Sequence, residues 1–181
     1  MLIAVGSRSR NTGKTSVVCN LLGALPGRWE AVKISSHVHE AAEPWVLEEE
    51  LDRAGPHDTS RYLRAGASRA WLLRAERASL TEALPALRHV LAQAGNALIE
   101  SNRIVDVIRA DVFLFVETPG NERSAKAGAG RYAALADAII VVGSASIDAA
   151  GKPVLRAAPP GFMAGELADF VLRLIERGSA V

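Results

Sequence analysis

The stretch that decides the fold is LIAVGSRSRNTGKTSVV, residues 2–18. Leu2 to Val5 is a short apolar run that ends at Gly6. After a polar loop, Lys14 to Leu25 has the composition of a helix, and Pro26 and Gly27 close it. Together these features predict a buried strand, a loop and a helix in direct succession.

The loop ends in Gly13-Lys14-Thr15-Ser16, at the predicted helix start. A bound phosphate chain needs converging backbone N–H groups, a lysine that reaches the β- and γ-phosphates, and a hydroxyl for Mg²⁺. Gly13, Lys14 and Thr15 supply these groups, so we expect a phosphate-binding loop for a purine nucleoside triphosphate with Mg²⁺. The predicted nucleotide-binding residues are Ser9, Arg10, Asn11, Thr12, Gly13, Lys14, Thr15 and Ser16.

The loop departs from the usual motif, which has glycine five residues before Gly13, where this chain has Arg8. The alternative interpretation is an ordinary helix start, but the strand before the loop and the helix after it favour phosphate binding. Arg8 and Arg10 are either solvated charges or additional cations for phosphate, within one subunit or across a dimer. We also expect a homodimer, in which Arg8 would reach the phosphates of the partner subunit.

Further apolar runs alternate with helical segments along the rest of the chain. This order predicts an α/β fold with a three-layer, doubly wound, mostly parallel sheet and a single domain over residues 1–181. We expect residues 35–56 to form a surface loop with a short helix. The predicted strands are Glu30 to Ile34, Arg69 to Leu73, Ala97 to Ile99, Val112 to Val116, Ala138 to Val142 and Pro153 to Arg156. The predicted helices are a segment capped by Asp58 or Thr59 and ending at Gly66, then Leu80 to Ala94, Ser124 to Ala136 and Glu166 to Arg177.

Polar residues follow three of these strands, where a nucleotide and its metal would lie. Lys33 precedes His37 and His39, which either share a metal or phosphate or belong to a polar loop. Glu100 and Glu117 each end an apolar strand, a place where an acid can hold Mg²⁺. For each of these two residues, a surface acid is the alternative.

Four stretches resemble the molybdopterin-guanine dinucleotide biosynthesis protein B family, whose members have a P-loop NTPase fold. They are the loop ending Gly13-Lys14-Thr15, Val32-Lys33 with the histidines after it, the segment Asp58 to Ala67, and Glu100. The chain differs in having Asn11 and Ser101 where the family usually has glycine, and in its sparser histidines.

The resemblance implies a Mg²⁺-dependent GTP-binding, weakly hydrolysing accessory protein that works with a molybdopterin guanylyltransferase. In that reading Lys14 and Glu100 are the catalytic residues, and Thr15 and Glu100 place the metal. Among the acids we favour Glu100 over Glu117, although Gly120 could offer its N–H to a γ-phosphate. ATP stays open as the nucleotide, because the chain contains no Asn-Lys-x-Asp element to read guanine.

Three other functions remain open. A nickel or cobalt metallochaperone GTPase would use His37 and His39, but no cysteine-histidine cluster accompanies them. A small-molecule kinase or an ATP-dependent ligase similar to dethiobiotin synthase would use Lys33 to meet a substrate carboxylate. The third is a nucleotide-gated interaction module without enzymatic activity.

The composition of the chain limits the partners and the cellular compartment that we expect for it. The 21 basic and 20 acidic residues are mixed along the 181-residue chain and give a net charge of +1, so neither nucleic acid nor a membrane surface is expected as a partner. Cys19 is the single cysteine, which fits a reducing compartment. No apolar run reaches about 18 residues and no basic flank precedes Leu2, so we expect a cytoplasmic protein.

Overall fold

The computed structural model describes residues 1–36, 43–76, 78–118, 128–143, 147, 149–157 and 164–178. An eight-stranded sheet lies at its centre, in the order β3-β4-β2-β5-β1-β6-β7-β8. Neighbouring strands are parallel except for β3 and β4, which pair antiparallel. The strands are β1 (Leu2–Ser7), β2 (Glu30–Ser35), β3 (Trp45–Glu50), β4 (Ala70–Ala75), β5 (Ala97–Glu100), β6 (Val112–Glu117), β7 (Ala138–Val142) and β8 (Val154–Ala157).

Helices cover both faces of the sheet. The helices are α1 (Lys14–Ala24), α2 (Asp58–Arg64), α3 (Leu80–Ala94), α4 (Ala129–Leu135) and α5 (Ala164–Gly178), with a 3₁₀ helix at Arg103–Asp106. Buried residues of α1, α2 and α5 share one core with the sheet, and those of α3 and α4 share a second core on the opposite face. The predicted three-layer, doubly wound architecture is confirmed.

The strands are apolar on both faces because each face is covered by helices. In β1, for example, Ile3 and Val5 pack on the α1 side while Ala4 packs on the α3 side. Successive side chains of a strand point to opposite faces, so position along a strand decides which core a side chain enters. Within the described residues, no helix combines the length and apolar character that a bilayer crossing requires.

We expected a surface loop with a short helix over residues 35–56, and this was wrong for Trp45–Glu50, which form strand β3. This strand pairs with β4 at the edge of the sheet. Its acidic residues meet arginines of the neighbouring segment: Glu49 binds Arg69 at 2.7 Å, and Glu48 binds Arg74. These cross-strand ion pairs stabilise an acidic strand at the edge of the sheet. The sequence analysis missed this strand because it searched for apolar runs.

Other elements differ from the sequence predictions mainly at their ends. The residue before α2 is His57, and no side chain among the described residues caps this helix, so Asp58 is not the expected cap. Gly66, at φ 113°, ends the turn that follows α2, as expected. Of the predicted helix Ser124 to Ala136, the structure describes Ala129–Leu135, and residues 124–127 lie outside the described part.

Glu50, at the end of β3, fixes the start of α2. Its carboxylate accepts hydrogen bonds from Thr59 Oγ1 at 2.8 Å, Ser60 Oγ at 3.1 Å and the Asp52 backbone N–H at 2.9 Å. The backbone bond from Asp52 and the hydroxyl bond from Thr59 lower the pKa of Glu50, because they favour the charged form. The edge strand thereby sets the position of α2 relative to the sheet.

We expect Glu50→Gln to lower the free energy of unfolding by about 1 kcal/mol at pH 7. Because the folded-state pKa is depressed, the stabilisation is complete above the unfolded-chain pKa of about 4.3 and is lost as the pH falls through the lower folded value. Urea unfolding between pH 3 and pH 7 measures the difference from wild type. Glu48→Gln, on the same strand, is the control, and an effect of Glu50→Gln that does not change with pH would contradict this account.

Candidate functional site

A cleft of about 650 Å³ opens at the carboxyl ends of the central parallel strands. It runs from the loop after β1 to the end of β2 and the start of α2. Ligands of doubly wound sheets bind at this edge, next to the strand where the order reverses, which here is β1. Its lining includes Arg10, Asn11, Thr12, Gly13, Lys14, Thr15, Ser16, Lys33, Asp58, Arg61, Glu100 and Asn102.

The loop between β1 and α1 turns through two residues with left-handed backbone, Asn11 at φ 56° and Gly13 at φ 87°. Asparagine is among the few residues other than glycine that adopt this conformation readily. Asn11 therefore fits a position where the resembling family has glycine. The first helical bond runs from the Val17 N–H to the Gly13 carbonyl at 2.9 Å, so α1 begins directly at the loop.

Asn102 forms hydrogen bonds with the end of β1. The sequence analysis did not identify this residue. Its Oδ1 accepts from the Ser7 N–H at 2.6 Å, and its Nδ2 donates to the Ser7 carbonyl at 2.8 Å. A Cβ on Gly6 would meet Asn102 Oδ1 at 2.7 Å and the Phe113 ring at 2.8 Å. Glycine is therefore required at position 6. The sequence feature that could have identified Asn102 is the polar run that follows Glu100, the acid at the end of its strand.

Lys14 lies along the loop, and its Nζ donates to Ser7 Oγ at 2.8 Å. Arg10 to Ser16 line the cleft, as expected for residues that surround a ligand. Ser9 differs, because it is 1% exposed and its Oγ has no hydrogen-bond partner among the described residues. Ser9 therefore lies buried behind the loop surface.

Glu100 is the centre of the polar network in the cleft. This carboxylate is 6% exposed, and Thr15 Oγ1 donates to its Oε2 at 2.8 Å. The buried Tyr62 hydroxyl donates to the same oxygen, and Lys33 Nζ lies 3.3 Å from Oε1. Burial, together with the charge of Glu100, raises the pKa of Tyr62 well above its usual value, so the tyrosine is the donor.

Strand register explains why Lys33 and Glu100 meet. The two residues are paired across the parallel strands β2 and β5. They follow Ala31 and Leu98 by two positions, and both of those residues belong to the core on the α1 side. With a side-chain period of two, Lys33 and Glu100 point to that same side, where Thr15 and Tyr62 are.

Lys33 also binds Asp58, the first residue of α2. Burial alone would lower the pKa of Lys33, but the charge of Glu100 and the hydrogen bond to Asp58 outweigh it and raise the pKa. Burial likewise opposes the charged form of Asp58, yet the hydrogen bond and charge of Lys33 lower the pKa of that carboxyl below its usual value. Lys33 and Asp58 are therefore both charged at neutral pH.

Glu117, the second candidate acid, lies next to the loop but has a different partner. Arg8 forms a two-pronged ion pair with it, with Nε 3.0 Å from Oε2. Of the two acids, Glu100 is the one that contacts Thr15. The candidates His37, His39 and Gly120 lie outside the described residues.

Solved structures with the same architecture include HypB from Helicobacter pylori in complex with nickel. It superposes with a TM-score of 0.61 at 15% identity, over 99% of this chain and 87% of HypB. LpxK from Aquifex aeolicus in complex with ATP superposes with a TM-score of 0.54 at 17% identity. That match covers 86% of this chain and 53% of LpxK, so the chain spans about half the length of LpxK.

The chain has the P-loop NTPase fold. At these identities the likeness establishes the fold and leaves the substrate open. No protein-family model matches the sequence, and no curated protein sequence matches it significantly. Within the P-loop NTPase fold, the loop before α1 and the acid at the end of β5 are the parts that the sequence analysis singled out.

Proposed function

We propose that this P-loop NTPase binds a purine nucleoside triphosphate with Mg²⁺ and hydrolyses it slowly, as an accessory protein of molybdopterin guanine dinucleotide synthesis. The observation that carries the nucleotide and metal part is the 2.8 Å hydrogen bond between Thr15 Oγ1 and Glu100 Oε2. It joins a hydroxyl in the first turn of α1 to an acid at the end of β5, beside Lys14.

The donor set suits magnesium bound to a triphosphate. Hydroxyl and carboxylate oxygens are ligands that Mg²⁺ prefers, and it usually takes one or two carboxylates and completes its shell with water and phosphate. Within the described residues, no group of three histidine, cysteine or acidic side chains could hold a metal ion. A metal at Thr15 would therefore need phosphate oxygens, which fits binding together with a nucleotide.

Each residue has a distinct task in this proposal. The start of α1 directs backbone N–H groups at the phosphates, and Lys14 balances their charge. Thr15 and Glu100 would hold Mg²⁺ or its water, and the bound metal neutralises charge that develops on the phosphate oxygens. Catalysis then rests on positioning and electrostatic stabilisation.

We expect slow turnover because the carboxylates in the cleft are already bound in ion pairs. Glu100 and Asp58, the acids that line the described part of the cleft, are both ion-paired with Lys33. The pKa of Asp58 is lowered, so it is a weak proton acceptor for an attacking water. A slow nucleotide switch suits an accessory protein better than a metabolic enzyme.

The molybdenum-cofactor role rests on the resemblance of the four sequence stretches to the molybdopterin-guanine dinucleotide biosynthesis protein B family. Asn11 is compatible with it, because Asn11 has the left-handed backbone that glycine adopts readily. A molybdopterin guanylyltransferase is the proposed partner, and a homodimer stays a prediction. The ion pair with Glu117 gives Arg8 a partner within its own chain, so the site does not depend on Arg8 crossing a dimer interface.

A metallochaperone-type GTPase is the second candidate, favoured by the likeness to nickel-bound HypB over nearly the whole chain. A small-molecule kinase or ligase is less favoured. Lys33, which would meet a substrate carboxylate in such an enzyme, is already bound by Asp58 and Glu100.

Lys14→Ala should weaken triphosphate binding at least about tenfold, because it removes a charge partner of the phosphates worth upwards of about 1.4 kcal/mol. Calorimetric titration with GTP and Mg²⁺ measures the affinity. Arg28→Ala, an equal charge change at an exposed residue beyond the other end of α1, is the control. Equal affinities of wild type and Lys14→Ala would mean that the loop is not a phosphate site.

Glu100→Gln should reduce Mg²⁺-dependent hydrolysis roughly 10- to 100-fold, because the metal loses a charged partner. Glu117→Gln should reduce it little, since Glu117 binds Arg8. A phosphate-release assay at saturating nucleotide compares the two variants, and circular dichroism checks their folding. The reverse ranking would transfer the metal role to Glu117.

The molybdenum-cofactor role is tested by equilibrium binding of GTP and ATP with Mg²⁺, with and without the molybdopterin guanylyltransferase of the same cell. We expect a preference for GTP and an effect of the transferase on nucleotide affinity, because coupled sites change each other's affinity reciprocally. A preference for ATP together with no effect of the transferase would refute this role.

A further inference from the structure

The cleft extends beyond the loop before α1. Besides Arg10 to Ser16, its lining comes from the end of β2, from α2, from the end of β5 and the 3₁₀ helix after it, and from α4. The proposed function uses the loop and Glu100 and gives most of the other lining residues no task. Among those without a task are Ser35, Ser36, Arg61, Arg103 and Tyr132.

Arg103 reaches across the end of β2. It follows β5 in the chain, and its Nη2 donates at 3.0 Å to the carbonyl of Ala75, the last residue of β4. Strand β2 lies between β5 and β4, and its last residue, Ser35, is paired with Arg74, which directly precedes Ala75. The Arg103 guanidinium therefore lies where the chain leaves β2.

Arg61 approaches the end of β2 from α2. Its Nη1 donates to Asp58 Oδ1 at 3.2 Å, and the other oxygen of Asp58 binds Lys33 of β2. Among the described residues this is the single hydrogen bond of the Arg61 side chain, which is 41% exposed. Arg8 and Arg69, by contrast, each bind an acid through two nitrogens. Most N–H donors of Arg61 can therefore bind a ligand while one nitrogen stays on Asp58.

The charge of the cleft favours more than one anion. Among the described residues, five basic and two acidic side chains line it, which gives a net charge of +3. The four charges in the network around Glu100 cancel one another, so the excess lies on Arg10, Lys14 and Arg103. A triphosphate at the loop would balance Arg10 and Lys14, and the charge of Arg103 would attract a second anion to the end of β2.

This part of the cleft does not suit the base of a nucleotide. Tyr132 is the one aromatic residue in the described lining, and it is 4% exposed. Its hydroxyl donates to Asp106 Oδ2 at 2.6 Å. A purine would therefore find no exposed ring to stack on. Guanidinium and hydroxyl groups suit an oxyanion instead, because arginine binds phosphate and carboxylate through two parallel hydrogen bonds.

We propose that the end of β2, between Arg61 and Arg103, is a subsite for the phosphate group of a second small molecule, a phosphate monoester, that binds beside the nucleotide. A phosphate monoester carries a charge of about −1.5 to −2 at pH 7 and has three acceptor oxygens, more than a carboxylate offers. Two arginines and the serine hydroxyls match this larger demand. The inference goes beyond the proposed function, because the subsite can take phosphate whatever the chain does with the nucleotide.

The test is a titration of inorganic phosphate, followed by ³¹P nuclear magnetic resonance, into protein saturated with Mg²⁺ and a non-hydrolysable GTP analogue. The analogue occupies the loop before α1, so the phosphate signal reports the second subsite. Sodium chloride keeps the ionic strength constant. The change of line width with phosphate concentration gives the dissociation constant, and calorimetry gives the affinity of each variant for the analogue.

We expect Arg61→Gln and Arg103→Gln each to weaken phosphate binding about tenfold, because each removes charge-assisted hydrogen bonds. Arg61→Lys should keep part of the affinity, since it retains the charge without the planar fork. Arg64→Gln is the matched control and should bind phosphate as the wild type does. It makes the same charge change on the same helix, and Arg64 Nη1 donates to the backbone carbonyls of Arg53 and Gly55, which are not part of the cleft lining.

The outcomes separate this inference from the proposed function. A nucleotide-loaded wild type that does not bind phosphate overturns the subsite, and the proposed function stands. Equal losses of affinity for phosphate and for the analogue in both glutamine variants would also overturn it, because the arginines would then act on the nucleotide or on the fold. Displacement of half the phosphate by an equal concentration of acetate would overturn the assignment to a phosphate group.

If the analogue does not bind to the wild type, the proposed function fails and the subsite is tested without it. The same titration is then made without nucleotide on Lys14→Ala protein, in which the loop has lost its lysine. Weaker phosphate binding after the further change Arg61→Gln supports the subsite in that case, and unchanged binding overturns it.

Discussion

The buried carboxylate of Glu100 is the constraint on which the rest of the site depends. A charge that is 6% exposed is costly unless it is paired and hydrogen-bonded. Three donors meet this need, and they come from three elements: Thr15 from α1, Tyr62 from α2 and Lys33 from β2. The charge of one side chain thereby holds the loop before α1, helix α2 and strand β2 in one arrangement.

The start of the loop before α1 is likewise fixed by hydrogen bonds from a side chain of another segment. Asn102 bonds both backbone groups of Ser7, and the absence of a side chain at Gly6 permits this close approach. With its ends held by β1 and α1, the loop is shaped before any ligand arrives. In the proposed function, donors held in this way cost little reorganisation when charge binds or develops.

Helix α2 connects the edge of the sheet to the polar network in the cleft. Glu50, at the end of β3, accepts from Thr59 and Ser60, while the neighbouring Asp58 faces Lys33. The start of α2 is thus bound on one side by an edge strand and on the other by the polar network.

The sequence by itself determined the strand, loop and helix around Gly13-Lys14-Thr15, the layered α/β fold, and Glu100 as a strand-end acid. These features are local in sequence, since periodicity and the order of elements carry them. Only the tertiary structure decided that β3 pairs with β4 beside the ion pairs of Arg69 and Arg74, and that Asn102 hydrogen-bonds to the end of β1. It also decided that Lys33 and Tyr62 bind Glu100 and that Asp58 binds Lys33. Those contacts join residues 20 to 95 positions apart, and strand order and register, which no local pattern encodes, bring them together.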